Sequence, residues 1–409
     1  ITGNGNIAIG GNANAATTTA SKTIAIGTNS VASSIGAIAI GSNLITSEAH
    51  GPEQDAAQAR VMNSIAIGNN ATSGANSGGG INSIAIGNQA KANSTSDSGS
   101  SGIAIGAYSN AGGHSVALGV HALESNTTGS DNIAVGTSAL KSNTTGSVNT
   151  ALGDSALKSN TTGEHNISIG YAAMQHNDTG SYNIAIGDYA LNASNTGSNN
   201  VAIGRDAMYF QTGVNTGNTA VGTQAMACTS KASNYYNTAI GYQALHSAGN
   251  NSNNAGHNTA VGAEALYNNI TGNYNTSIGS GACQYVTGSN KTCIGANSGP
   301  SSSWSMATDN KKILFLGDSN TTVYIPGNLI VGKDTMLGAR TAGDNKQYKV
   351  FLKAGNKGTN DRWTYIGTHD YKGSDDNLYG MDDATFTDGS FKLLNAESFE
   401  KKYSDRRLK

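Results

Sequence analysis

Residues 126–170 read NTTGSDNIAVGTSALKSNTTGSVNTALGDSALKSNTTGEHNISIG, and the architecture follows from this stretch. An apolar-Ala-apolar-Gly unit closes at Gly136, Gly153 and Gly170, with 17 residues between successive glycines. Outward in both directions the unit recurs, closing at Gly10, Gly27, Gly41, Gly68, Gly87, Gly106, Gly119, Gly187, Gly204, Gly222, Gly241, Gly262, Gly279 and Gly295. That makes 17 copies, with Ser168, Ser277 and Cys293 as small substitutes in the Ala place. From Gly119 to Gly204 the spacing is 17 five times running; elsewhere it varies, and the longest gap separates Gly41 from Gly68.

Within a unit Ile133 and Val135 alternate with Asn132 and Ala134, the period of two that marks a strand. Helices are excluded, because the apolar runs are short and glycine interrupts each one. Three residues past the glycine stands an alanine (Ala122, Ala139, Ala156), followed by Leu or Met (Leu123, Leu140, Leu157, Met174). The Asn-Thr-Thr-Gly segments at 126–129, 143–146 and 160–163 are turn chemistry, since Asn and Gly tolerate positive φ. One unit buries about four apolar side chains, too few to fold alone, whereas stacked units bury a continuous ladder. With coils ~4.8 Å apart, the copies build a rod on the order of 80 Å long. The small alanine on the second strand face permits close approach of another backbone, so a bundle of chains is expected.

Composition agrees with an ordered polar scaffold. Only 12% of the 409 residues are charged, against roughly 25% in an ordinary soluble domain. Glycine numbers 54 and proline 3, which excludes collagen. With 37% hydrophobic residues and a net charge of −2, self-repulsion does not hold the chain open. That charge gives no reason to expect nucleic acid. No run of 18 apolar residues offers a membrane-spanning helix. No signal peptide is expected at Ile1, and with no initiator Met a fragment or processed product is expected. Three cysteines do not make a disulfide framework. Charge is also unevenly spread: 20 charged residues fall in positions 1–300 and 30 in positions 301–409. A boundary is therefore expected near Pro300.

Segments such as NSIAIG (63–68), NIAVG (132–136) and NTAVG (258–262) resemble the head repeats of trimeric autotransporter adhesins, and similar repeats occur in phage tail-fibre shafts. The resemblance covers about residues 1–299. It implies an all-β fold, a trimeric left-handed parallel β-roll or solenoid shaft, followed by a small β-rich C-terminal domain. In this frame Cys293 takes the Ala place and Cys283 the Leu place. Each is read most simply as a small buried hydrophobe, with a Cys283–Cys293 disulfide as the competing reading.

After Pro300 the punctuation changes. Residues 311–332, KKILFLGDSNTTVYIPGNLIVG, read as two or three strands joined by turns, a connector over 300–339. Residues 340–403 form a distal β domain, with short strands expected at 347–353 and 362–367 and a polar loop at 370–383. Its aromatics suit a sugar surface, because pyranose faces are apolar and their hydroxyls need polar partners. The receptor-binding candidates are Trp363, Tyr365, His369, Tyr371, Asp375, Asp376 and Tyr379. Core and interface aromatics of a small trimeric domain are the competing reading. Asp375, Asp376, Asp382 and Asp383 do not follow a calcium-loop spacing, so no metal is expected, and no cofactor.

The last residues, SDRRLK (404–409), resemble the start of the endosialidase-type intramolecular chaperone of phage tail fibres and tailspikes. That resemblance implies self-cleavage at Tyr403–Ser404 in a precursor, with Ser404 as nucleophile and Lys409 as general base. In that family a chaperone body follows the motif, and a chain that retains 404–409 is expected to be uncut. Functionally the expectation is a non-enzymatic, homotrimeric tail fibre on the virion. Its expected partners are upstream tail or baseplate proteins and a host-surface glycan or outer-membrane receptor, with no membrane insertion. A bacterial trimeric adhesin is the alternative. A polysaccharide-cleaving tailspike comes third, since such sites use paired carboxylates, whereas Asp154 and Asp188 take a variable position after the glycine.

Overall fold

The computed structural model describes residues 5–15, 22–41, 57–74, 82–92, 101–193, 196–209, 215–227, 234–248, 255–300 and 312–318, with the backbone of 349–354 and 362–368. The described chain is all-β. Each repeat contributes one strand of three or four residues, and all 17 repeat strands join a parallel sheet of 18. The final strand is Ile313–Leu316, which pairs with Lys291–Ile294, so the ladder continues past residue 299. The register is residue for residue: Ile133 lies opposite Thr150, Ala134 opposite Ala151, Val135 opposite Leu152. A shorter sheet of two-residue strands (Val31–Ala32, Gln58–Ala59, Thr72–Ser73, Lys91–Ala92) runs beside the early coils. This is a parallel β-solenoid.

Three kinds of column hold the coils at one height: amides, glycines and an apolar interior. The first is the asparagine before each strand from Ile133–Val135 to Thr276–Ile278, whereas the strands from Ile24–Ile26 to Val116–Leu118 are preceded by Thr23, Ala37, Ser64, Ser83, Gly102 and Ser115. Asn149 is fully buried; its Oδ1 accepts the Asn166 backbone N–H at 3.0 Å and its Nδ2 donates to the Gly163 carbonyl at 2.8 Å. The same pattern passes from Asn132 through Asn166, Asn183, Asn200, Asn218, Asn237 and Asn258 to Asn275. At the end Lys291 takes the place, its N–H donating to Asn275 Oδ1 at 2.8 Å and its Nζ to the Ser289 carbonyl. A second amide column, Asn126, Asn143, Asn160 and Asn177, runs through the turns and bonds coil to coil at 2.8–3.1 Å. These side chains satisfy buried backbone groups that a short strand leaves unpaired.

The second column is glycine. At Gly136 φ is 132°, which L side chains rarely adopt, and a Cβ there would lie 2.6 Å from the Gly153 carbonyl carbon. The third column fills the interior with Leu140, Leu157, Met174 and Leu191, next to the alanines at Ala139, Ala156, Ala173 and Ala190. Leu140 and Leu157 sit at φ 50°, a costly conformation for a bulky residue that complete burial of the side chain offsets. Serine replaces alanine in the strand without an orphaned hydroxyl, because Ser168 and Ser277 donate to the Ala173 and Ala282 carbonyls.

One expectation is reversed. The strand alanines do not face another chain; Ala117, Ala134, Ala151 and Ala185 are wholly buried inside their own coil. The branched residues on either side point outward instead. A coil of 17 residues is too narrow to hold strand isoleucines and the leucine column together, so only a methyl fits between strand and core. The reading of the cysteines is corrected as well: Cys283 and Cys293 are not two separate buried hydrophobes but form a disulfide, with their Cα atoms 5.7 Å apart, in the Leu and Ala places of the last coils.

A separate unit, residues 324–409, holds an antiparallel pair, Lys349–Ala354 with Arg362–Thr368, where strands at 347–353 and 362–367 are expected.

Two predictions follow from the columns. Replacing Asn149 by Leu strands the Asn166 N–H and the Gly163 carbonyl and costs about 3 kcal/mol. Hydrogen exchange should then lose amide protection across the coils of Gly136 to Gly170; unchanged protection would contradict the ladder's role. Reducing the Cys283–Cys293 disulfide, which spans 10 residues, should destabilise the terminal coil by about 2.7 kcal/mol on loop entropy alone. Local exchange rates with and without reductant check this.

Candidate interaction face

Turning alanine and asparagine inward leaves the opposite strand face to the surroundings. Its two central columns are the residues that flank the strand alanines. The second of them is apolar throughout, from Ile9 through Leu152, Ile186 and Ile240 to Leu316. Ile133 is 45% exposed and Ile9 57%, although both belong to a regular β ladder. Isolated exposed apolar residues are ordinary, but a continuous stripe along a whole sheet marks an interaction surface.

Aromatic rings border the stripe. Five residues before the motif glycine the chain places His165 and Tyr182 in successive coils, stacked at 4.9 Å with 6° between their planes. Farther along, Tyr236, His257 and Tyr274 form a stack of three, with centroid spacings of 5.3 and 4.9 Å. Tyr274 is 62% exposed and Tyr236 60%. On the next side of the coil Tyr171, Tyr189 and Tyr209 meet edge to face. Desolvation, with the neighbouring Tyr171, Tyr209 and Asp188, holds the Tyr189 phenol above its ordinary pKa. Glu124 bonds His121 at 3.0 Å and pairs with Lys141 at 3.3 Å, contacts worth little at a wet surface.

His246 stacks on Tyr267 at 5.0 Å, and its Nδ1 is buried without a hydrogen-bond partner among the described residues. Burial lowers its pKa below the ordinary 6.5. A histidine with a depressed folded pKa binds its proton more readily when unfolded, so stability falls as pH drops below about 6.5. In His246→Phe, which keeps the ring stack, that acid-side loss should be smaller; melting curves at pH 7.5 and 5 check this, and an unchanged pH dependence would contradict it.

The chemistry-bearing candidates are spread out. Trp363 and Tyr365 lie two residues apart in Arg362–Thr368, opposite Lys353 and Phe351. His369, Tyr371, Asp375, Asp376, Tyr379, Asp382, Asp383, Ser404 and Lys409 fall outside the described residues. Asp154 accepts a bond from the Ser155 hydroxyl and Asp188 one from the Tyr171 N–H, ordinary surface roles. Among the described residues no group of three or more His, Cys, Asp or Glu could hold a metal ion, and no helix is long and apolar enough to cross a membrane. Sequence reading missed the outward stripe and the ring stacks. The stacks had a signal: the His and Tyr residues recur at one fixed offset from the motif glycine.

No family model, no curated protein and no solved structure matches the chain.

Proposed function

We propose that the chain is the shaft and distal end of a homotrimeric bacteriophage tail fibre that attaches the virion to a host-surface glycan or protein. The observation that carries the homomeric part is the apolar stripe on the 18-stranded sheet. A face of this kind gains by being covered along its full length. A second copy of the same solenoid, with the same coil rise, is the surface that matches it coil for coil. The fibre reading rests on the resemblance of the repeats and of SDRRLK, and it is this terminal motif that favours a tail fibre over a bacterial adhesin.

In this reading the rod is a stiff spacer, and receptor contact falls to the distal unit through Trp363, Tyr365, His369, Tyr371, Asp375, Asp376 and Tyr379. Three weak contacts on one trimer raise avidity through effective concentration. In a precursor, the Ser404 hydroxyl gives its proton to Lys409 and attacks the Tyr403 carbonyl. The Tyr403–Ser404 peptide bond breaks as its nitrogen takes that proton, and water hydrolyses the resulting ester.

Light scattering on the eluting chain tests the assembly, with three times the chain mass as the expected result. Ile133→Asp combined with Ile167→Asp should release monomers while the β spectrum is kept. A stable wild-type monomer would refute the proposal. For attachment, the purified trimer should compete with phage adsorption to host cells, and Trp363→Ala with Tyr365→Ala should weaken that competition at least tenfold (about 1.4 kcal/mol).

A further inference from the structure

The outward face is not uniform along the rod. Of its two central columns, the one nearer the chain start is apolar from Ile7 to Val201, apart from Thr150. It then becomes threonine in five successive coils: Thr219, Thr238, Thr259, Thr276 and Thr292. The parallel register sets these five side by side, and Leu314 follows. Each is half-buried, and none of their hydroxyls bonds to a described residue of its own chain. The neighbouring column stays apolar through the same coils, from Val221 to Ile294.

We infer that this threonine block fixes the axial register between copies of the chain. The inference rests on the homotrimer reading and deepens it. Hydrophobic contact is non-directional and scales with area. Two identical apolar stripes with one repeat can therefore slide by a whole coil and bury almost the same surface. A featureless ladder specifies register weakly for the same reason. Hydroxyls break that degeneracy. At zero shift threonine meets threonine across the interface and the hydroxyls pair with each other. A shift of one coil sets hydroxyls against Val201 or Leu314 at the ends of the block, where they are buried unpaired. A single buried asparagine fixes the register of a coiled coil by the same logic. Placing the block at one end of the stripe makes every displacement unfavourable, in either direction. Thr150 adds a second mark within the apolar stretch.

The test uses the full chain with a benzophenone amino acid in place of Tyr274, which lies two residues before Thr276 in the same coil. Cross-linked peptides are mapped by mass spectrometry after irradiation of the trimer. The wild-type sequence should cross-link to the same coil of the neighbouring copy, residues 274–280. In the variant with all five threonines changed to valine, which keeps the β-branched shape, the ratio of same-coil to one-coil-shifted products should fall about tenfold. Changing all five to serine keeps the hydroxyl and should keep a single register. A valine variant that stays trimeric with one register overturns the inference and leaves the trimer standing. The absence of any cross-link within a trimer also overturns it, by placing the threonine coils outside the interface. A monomeric wild type removes the trimer reading and the register inference together.

Discussion

From Asn132 to Asn275 the structure depends on one repeated bond: a buried asparagine amide that accepts the next coil's backbone N–H and donates to a turn carbonyl. Asn149 does this for the coil of Asn166, and Asn166 for that of Asn183. A strand of three residues is too short to define its neighbour's position by ladder bonds alone. The amide column extends the bonding beyond the strand and sets the height and rotation of each coil. The glycine column then becomes obligatory, because two backbones held this closely leave no room for a Cβ. The leucine column in its left-handed conformation follows from the same tight closure.

Much of this was legible in the sequence. Glycine spacing defined the coil, the short alternating segment defined the strand, and the Ala-Leu pair defined the interior. The direction of the strand faces was not legible. Alternation of Ile133 and Val135 with Asn132 and Ala134 says that the two faces differ, but not which one is inside. Hydrophobicity pointed to isoleucine in the core; the narrow coil reversed it, because leucine from the opposite wall already fills the space. Asn132 read as the polar half of an alternation, and only the stacked coils reveal it as a bonded column. Sequence favoured two separate buried cysteines over the Cys283–Cys293 bond, because the Ala and Leu places become neighbours only once the coil closes. Of the distal candidates, Trp363 and Tyr365 fall on a strand near its expected position, while the others lie outside the described residues.

The reversal alters the physical account of the rod. With alanine inside, each chain satisfies its own polar groups and packs its own narrow core, yet leaves a branched apolar stripe uncovered. Low charge along the shaft fits such a surface, since charged side chains on these columns would oppose close association. The composition that first set residues 1–300 apart is then a property of an interface as much as of a fold. The richer charge after residue 300 belongs to a segment whose chemistry is different, and to which the proposed attachment is assigned.

The central claim is that the outward apolar face of this solenoid is covered by further copies of the same chain. Mass per unit length of the isolated rod, measured by dark-field electron microscopy, addresses it directly. Three chains side by side predict three coils of mass for every ~4.8 Å of axial rise. A value of one coil per rise, with the isoleucine stripe left in water, would contradict the account.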